Sequence, residues 1–256
     1  MSRSPRVAAI GALARREFAQ MWLSPIGWIV AAVTLGLLSY SYLAQVDGFL
    51  RLQGRLAAIP GGPGLTDLIV IPFYGNAAFV FLLVAPVVTM RLFSDEMRYQ
   101  TLPLLLAAPV SAMQLVLGKY VGALGYLGLL LLAAAAMPLT LLIGGHFDLG
   151  VWGAGVLALL CLLAASVAIG IYMSSLTTQA VVAAMSTFGL LMFFWMVDWQ
   201  GEAAGDAVAL RYFSLLNHLR PMLAGTVGTE DLGFFLALTL LFLGLAVRRA
   251  AAVRDG

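Results

Sequence analysis

The sequence predicts an all-α, polytopic membrane protein, and three observations carry that prediction. The chain is 62% hydrophobic and only 10% charged, where a soluble domain holds about 25% charged residues. Its mean hydropathy is +0.99. Its apolar residues gather into six runs, near 25–46, 68–90, 115–145, 149–173, 178–197 and 232–247. Each is close to the roughly 20 residues that a helix needs to cross a bilayer. The 256 residues read as a single transmembrane domain, 1–256.

Residues 1–24 form the first segment. Ile10, Ala14, Phe18 and Met21 recur at helical spacing while Arg15 and Arg16 point elsewhere, the pattern of an interfacial helix on the membrane surface. No cleavable signal peptide is expected from this basic, arginine-containing start. Ser24-Pro25 then supplies a cap and a proline at the first helical position, where the missing N–H costs nothing. Spans one and two occupy 25–92. Between them, residues 47–67, with PGGPG at 60–64, read as a short interfacial helix and a flexible turn. Residues 93–114 make an elbow, and Ser111 with Gln114 three residues on is a capping box that opens the third span. Spans three to five fill 115–198. Residues 199–231 carry an apolar side (Leu210, Phe213, Leu216, Leu219–Leu223) with Arg211, His218 and Arg220 interspersed, which suits an interfacial or re-entrant helix on the outer face. Thr229-Glu230-Asp231 caps the sixth span and places two acids at its positive end. Residues 232–256 are that span and a tail. The chain shows no internal repeat of the kind found in many secondary transporters.

Six spans put both termini on one side. The side with the termini and the elbow carries ten Lys and Arg residues, the other four, so the positive-inside rule places the termini in the cytoplasm. Trp22 at the inner edge, with Trp152 and Trp199 at the outer, fits an aromatic belt.

Several chemistries are disfavoured. No ionisable side chain lies in the middle of any run, whereas ion-coupled transporters and pumps depend on such groups. Ser166, Ser186 and Thr187 lie within spans with no base placed to activate them, and hydroxyls there ordinarily bond a carbonyl one turn back. His146 and His218 read as lone interfacial residues. The single cysteine, Cys161, offers no disulfide and no metal site. Gly118-Lys119 lacks the earlier glycine and the following hydroxyl of a phosphate loop, with Met113 and Tyr120 in those places. Lys119 is expected to snorkel to the inner headgroups, and Gly118 with Gly122 to permit close helix packing. A net charge of +2 gives no footprint for nucleic acid. No cofactor is expected in this chain.

FSDEMRYQTLPLLLAAPVSAMQLVLGKYVG, residues 93–122, is too long and too punctuated for a plain loop. Ser94 can cap a short helix with Asp95 and Glu96 in its first turn. Thr101 and Pro103 can start a second unit, Leu104–Ala108, which Pro109 closes. Leu104, Leu105 and Leu106 then need a surface. The residues alone leave two surfaces open, a protein partner or the inner leaflet.

The same stretch resembles the signature between the second and third spans of ABC-2 type permeases, in its gliding-motility-type branch. That signature has an acidic pair, a base, a Gly-Thr step, a leucine-rich turn, Pro-Val/Leu-Ser and Leu-Gly-Lys. ARREFAQMWLSPIGWIV is similar to that branch's first helix and first span, and FSLLNHLRPMLAGTVGTEDLGFFLALTLLFL to its outer segment and sixth span. The chain departs from the pattern at Gln100-Thr101, where the family has Gly-Thr, and at Pro103, often acidic there. The resemblance implies a permease subunit of an exporter in the bacterial inner membrane, itself non-catalytic. It implies that the elbow is a coupling helix docked on a separate ATP-binding cassette ATPase dimer, which holds the ATP and Mg. By position the contact would fall on Asp95, Glu96, Arg98, Thr101, Leu104, Leu105 and Leu106, with Glu17 bracing it. A second permease copy or homologue would complete the pathway, with spans one and five lining it, alongside the lipid bilayer and a partner on the periplasmic side. The alternative is a non-transporting scaffold that relays ATPase motion to such a partner; an intramembrane enzyme is a more distant reading.

Overall fold

The computed structural model describes residues 5–56, 64–98, 111–143, 147–197 and 212–255. These residues form nine α-helices and no strand: α1 (Pro5–Leu23), α2 (Pro25–Leu56), α3 (Ile71–Thr89), α4 (Arg91–Arg98), α5 (Ala112–Ala136), α6 (Leu149–Ser174), α7 (Ala180–Met196), α8 (Leu215–Leu223) and α9 (Thr229–Asp255). A π-helical turn, Thr66–Val70, leads into α3, and a 3-10 turn, Pro138–Ile143, follows α5. Five stretches are long and apolar enough to cross a membrane, containing α2, α3 with α4, α5, α6 and α9. The sixth expected span is α7, with 17 residues. At 1.5 Å per residue it reaches about 26 Å, near the hydrocarbon thickness of a bilayer.

Local chemistry sets several helix starts. α2 begins at Pro25 as expected. Two residues on, a Cβ at Gly27 would fall on the Met21 carbonyl, so only glycine permits the sharp corner from α1. Tyr126 Oη closes that corner by donating to the Gly27 carbonyl at 2.6 Å. The capping box at Ser111 and Gln114 is formed in both directions. α6 is capped by Asp148, whose carboxylate accepts from Gly150 and Val151 N–H.

α6 is the centre of the packing. It meets α3, α5, α7, α8 and α9, and its apolar positions Ala158, Leu159, Leu162, Leu163, Val167 and Ile171 are fully buried. Gly155 and Gly170 bring α3 close, since a Cβ at either would strike Tyr74 or Thr89. The spans carry their hydroxyls as expected: Ser166 donates to the Leu162 carbonyl and Thr187 to the Ala183 carbonyl, each at 2.7 Å. α2 sits at the periphery, with Trp28, Ile29, Val33, Leu37, Tyr40 and Leu43 exposed, the outward apolar surface that a bilayer would cover. It is joined to the bundle by Asn76 donating to Ser41 at 2.9 Å and by the Tyr42–Thr140 hydroxyl pair at 2.7 Å.

Two expectations are corrected. Residues 47–56 are not a separate interfacial helix but the end of α2, which continues past Gly48 and Gly54 with no proline to break it before the PGGPG run; 57–63 lie outside the described residues. Of the two forms expected for the outer segment, the described part is packed into the bundle and is not laid on lipid. Leu215, Leu219 and Met222 of α8 are fully buried, packed on α3, α6, α7 and α9. His218, read as a lone interfacial residue, is buried too. Its Nδ1 lies 2.8 Å from Asp231 Oδ1 and its Nε2 3.2 Å from the Tyr212 carbonyl, and its ring stacks on Phe234 at 4.3 Å. Asp231, expected only to complement the α9 dipole, therefore also fastens α8 to α9. Trp199, Leu210 and Arg211 lie outside the described residues, as does His146.

Candidate coupling site

α1, the α1–α2 corner, α4, the start of α5 and the end of α9 share one end of the described molecule. The amphipathic pattern of α1 meets protein as well as lipid there. Leu13, Phe18 and Met21 pack on the core, and α1 runs along α5. The contact depends on Gly118 and Gly122: a Cβ at Gly118 would stand 2.5 Å from Leu13 Cβ, and one at Gly122 would stand 2.7 Å from Glu17 Cβ and 2.9 Å from the Ala14 carbonyl. The expected GxxxG seam thus has a definite occupant, the N-terminal helix.

That approach buries an ionic cluster. Lys119, on the second turn of α5, is 2% exposed. Its Nζ lies 3.1 Å from Glu17 Oε1 of α1 and 2.7 Å from Glu96 Oε1 of α4, and 5.1 Å from the centre of the Phe93 ring. Lys119 does not snorkel to headgroups. The α1 backbone drawn in by the two glycines covers it, and two carboxylates replace the water it would have sought. Three segments far apart in sequence, 17, 96 and 119, are tied by one ammonium group. Burying an ion pair adds little net stability by itself, but deleting one partner costs several kcal/mol because the others are left uncompensated. The cluster is thus a register device that fixes α4 and α1 relative to α5.

α4 is held from a second direction. The Ser174 hydroxyl, at the end of α6, accepts from Phe93 N–H at 3.0 Å and Ser94 N–H at 3.1 Å, and donates to the Met90 carbonyl at 3.0 Å. It thus ties the backbone at the break between α3 and α4 to the end of α6. Ser94 itself was expected to cap the elbow helix. It lies inside α4 instead, with its hydroxyl donating back to the Met90 carbonyl, because the helix already begins at Arg91. Ser174→Ala is expected to cost about 1–3 kcal/mol locally and to speed amide exchange at Phe93 and Ser94. Unchanged protection of those two amides in hydrogen-exchange mass spectrometry would contradict the role.

The sequence-derived residues divide accordingly. Glu17 and Glu96 come together across Lys119. Asp95 is half-buried and Arg98 exposed on the outer side of α4, while Leu92, Phe93 and Ser94 turn to the core. Thr101, Leu104, Leu105 and Leu106 lie outside the described residues. Lys119 as a structural cation and Ser174 were missed. Of the two, Lys119 had a signal, a cation inside a glycine-bearing helical seam; Ser174 had none.

This arrangement is a helical bundle of apolar spans with a charged, doubly anchored helix at the end where α1 and the end of α9 lie. Residues 12–250 match the family described as ABC-2 family transporter protein. The chain belongs to the ABC-2 transporter family. No curated protein matches it. Membership makes this ABC-2 protein a multi-pass membrane subunit and implies an ABC ATPase partner. α4 opens the stretch in which the resemblance to ABC-2 permeases was read.

Proposed function

We propose that this ABC-2 protein is the non-catalytic permease subunit of a bacterial exporter of the gliding-motility-type branch, moving its substrate outward with ATP hydrolysed on a separate ATPase dimer. The observation that carries the reading is the Glu17–Lys119–Glu96 cluster. A helix meant only to rest on lipid would not need a buried ionic tie to two other helices. A helix that receives a push does, because α4 must move α1 and α5 without slipping. Asp95 and Arg98, with Thr101 and Leu104–Leu106 beyond α4, are the surface offered to the ATPase, and Glu17 and Glu96 are the bracing residues behind it. ATP and Mg belong to the partner. A second permease copy pairs through α2 and α7, which expose large apolar side chains such as Trp28, Tyr40, Val181 and Met185.

The reading requires the α4 end to be cytoplasmic in the inner membrane, with the Leu50 end of α2 outside. Single cysteines replacing Leu50 or Arg98, in a Cys161→Ala background, test this with an impermeant thiol reagent on intact cells. Labelling at Leu50 and none at Arg98 is expected. Labelling at Arg98 alone would leave the coupling surface out of reach of any ATPase and overturn the reading.

A further inference from the structure

Beside the ionic cluster, α1, α2, the α3–α4 break and α5 enclose a cavity of about 320 Å³. Its lining has two zones. Val30, Val87 and Val88, with Ile26, form an apolar wall where α2 and α3 run toward the membrane interior. Val87 is 39% exposed and Ile26 39%, so this wall is continuous with the surface that lipid would cover.

The other zone is ionic, with three cations and three carboxylates. Two carboxylates, Glu17 and Glu96, are taken up by Lys119. The same lining also holds Asp95 and two guanidinium groups, Arg16 on α1 and Arg91 at the start of α4, both arginines exposed. Arg16 also lies within electrostatic reach of Glu96. Neither arginine forms an ion pair with another described residue within 4.0 Å. The lining as a whole is charge-balanced, and its two exposed cations are displayed as planar guanidinium forks. Guanidinium forks match phosphate oxygens in geometry as well as in charge.

We propose that this cavity binds the phosphate headgroup of an amphiphile from the adjoining leaflet, with Arg16 and Arg91 on the phosphate and the Val30–Val87–Val88 wall guiding its chains into the bilayer. The volume is at the low end for a ligand pocket. It holds a headgroup and the first part of the chains, not a whole lipid, and the exposed wall lets the remainder stay in the membrane. The site goes beyond the coupling role proposed for α4. Binding needs no ATPase, so its failure would leave that role standing, and loss of ATPase docking would leave the site standing. Because Arg91 and Glu96 belong to one helix, movement of α4 would alter both the mouth and the ionic cluster behind it.

The test uses purified full-length chain in neutral maltoside micelles, with native mass spectrometry as the readout. The probes are a short-chain phosphatidylglycerol, the diacylglycerol with the same chains, and inorganic phosphate. Phosphatidylglycerol is expected to bind the wild type well above diacylglycerol. Arg16→Gln with Arg91→Gln should weaken it by about tenfold or more, the loss of charge-assisted hydrogen bonds. Both positions are exposed, so the double variant folds. Arg248→Gln with Arg249→Gln, on α9 at the same end, should leave binding unchanged. Equal binding of diacylglycerol, or no loss in the Arg16/Arg91 variant, overturns the proposal. Displacement of the lipid by inorganic phosphate at similar concentration would mean that the site reads free phosphate, and would overturn the amphiphile assignment.

Discussion

Lys119→Met is expected to be among the most damaging single substitutions in the chain. It removes the ammonium group that pairs with both Glu17 and Glu96 while leaving both carboxylates where little water reaches them, at 8% exposure for Glu17 and 16% for the Glu96 side chain. Breaking a buried pair in this way costs about 3–5 kcal/mol, against a total stability of roughly 5–15 kcal/mol for a typical fold. The variant should lose thermal stability in detergent, and α1 should separate first, because its seat on Gly118 and Gly122 leaves no room for a carboxylate to turn outward without moving the helix. The triple variant Lys119→Met, Glu17→Gln and Glu96→Gln separates charge from packing. Replacing a buried ionic cluster by groups of similar volume is often neutral, so the triple variant should recover most of the loss. If Lys119→Met melts like the wild type, the cluster is not holding α4 and α1 in register.

The membrane architecture was legible in the sequence because spans are written in composition. A run of apolar residues near 20 long has few alternatives once it is too hydrophobic for water, and the six runs correspond to α2, α3, α5, α6, α7 and α9. Caps were legible for the same local reason: Ser111 and Gln114 need only each other. What failed was whatever depends on partners distant in sequence. Lys119 looks like a snorkelling residue until α1 is laid across Gly118 and Gly122. His218 looks interfacial until Asp231 and Phe234 are brought to it. Ser94 looks like a cap because nothing local shows that the helix has already begun three residues earlier. The candidate site was half legible. Glu96 stood in the sequence as a contact and Glu17 as its brace, and the fold turns both inward, leaving Asp95 and Arg98 as the described members of the expected contact that are not in the ionic cluster.

That division sharpens the test of the coupling surface. Reversing Glu96 would set a lysine against Lys119 and disturb the fold, so it cannot report on docking. Asp95→Lys with Arg98→Glu avoids this. Arg98 is exposed, Asp95 is half-buried in the cavity lining rather than in the ionic cluster, and the exchange leaves the net charge of the chain unchanged. Attraction to an anionic leaflet, which depends on the number of basic residues near the surface, is therefore also unchanged. If α4 docks on an ATPase, the two reversals place like charge against like across a partly desolvated contact. Truncating one partner of such a pair typically costs about 2–5 kcal/mol, roughly 30-fold or more in affinity, and reversal costs at least that. The most direct measurement is recovery of the ATP-binding cassette subunit with tagged wild-type chain and with the Asp95→Lys, Arg98→Glu variant, at matched membrane expression. The coupling account expects the ATPase with the wild type and its loss with the variant, while the variant's own insertion and melting temperature stay the same. Undiminished recovery of the ATPase with the variant would contradict it.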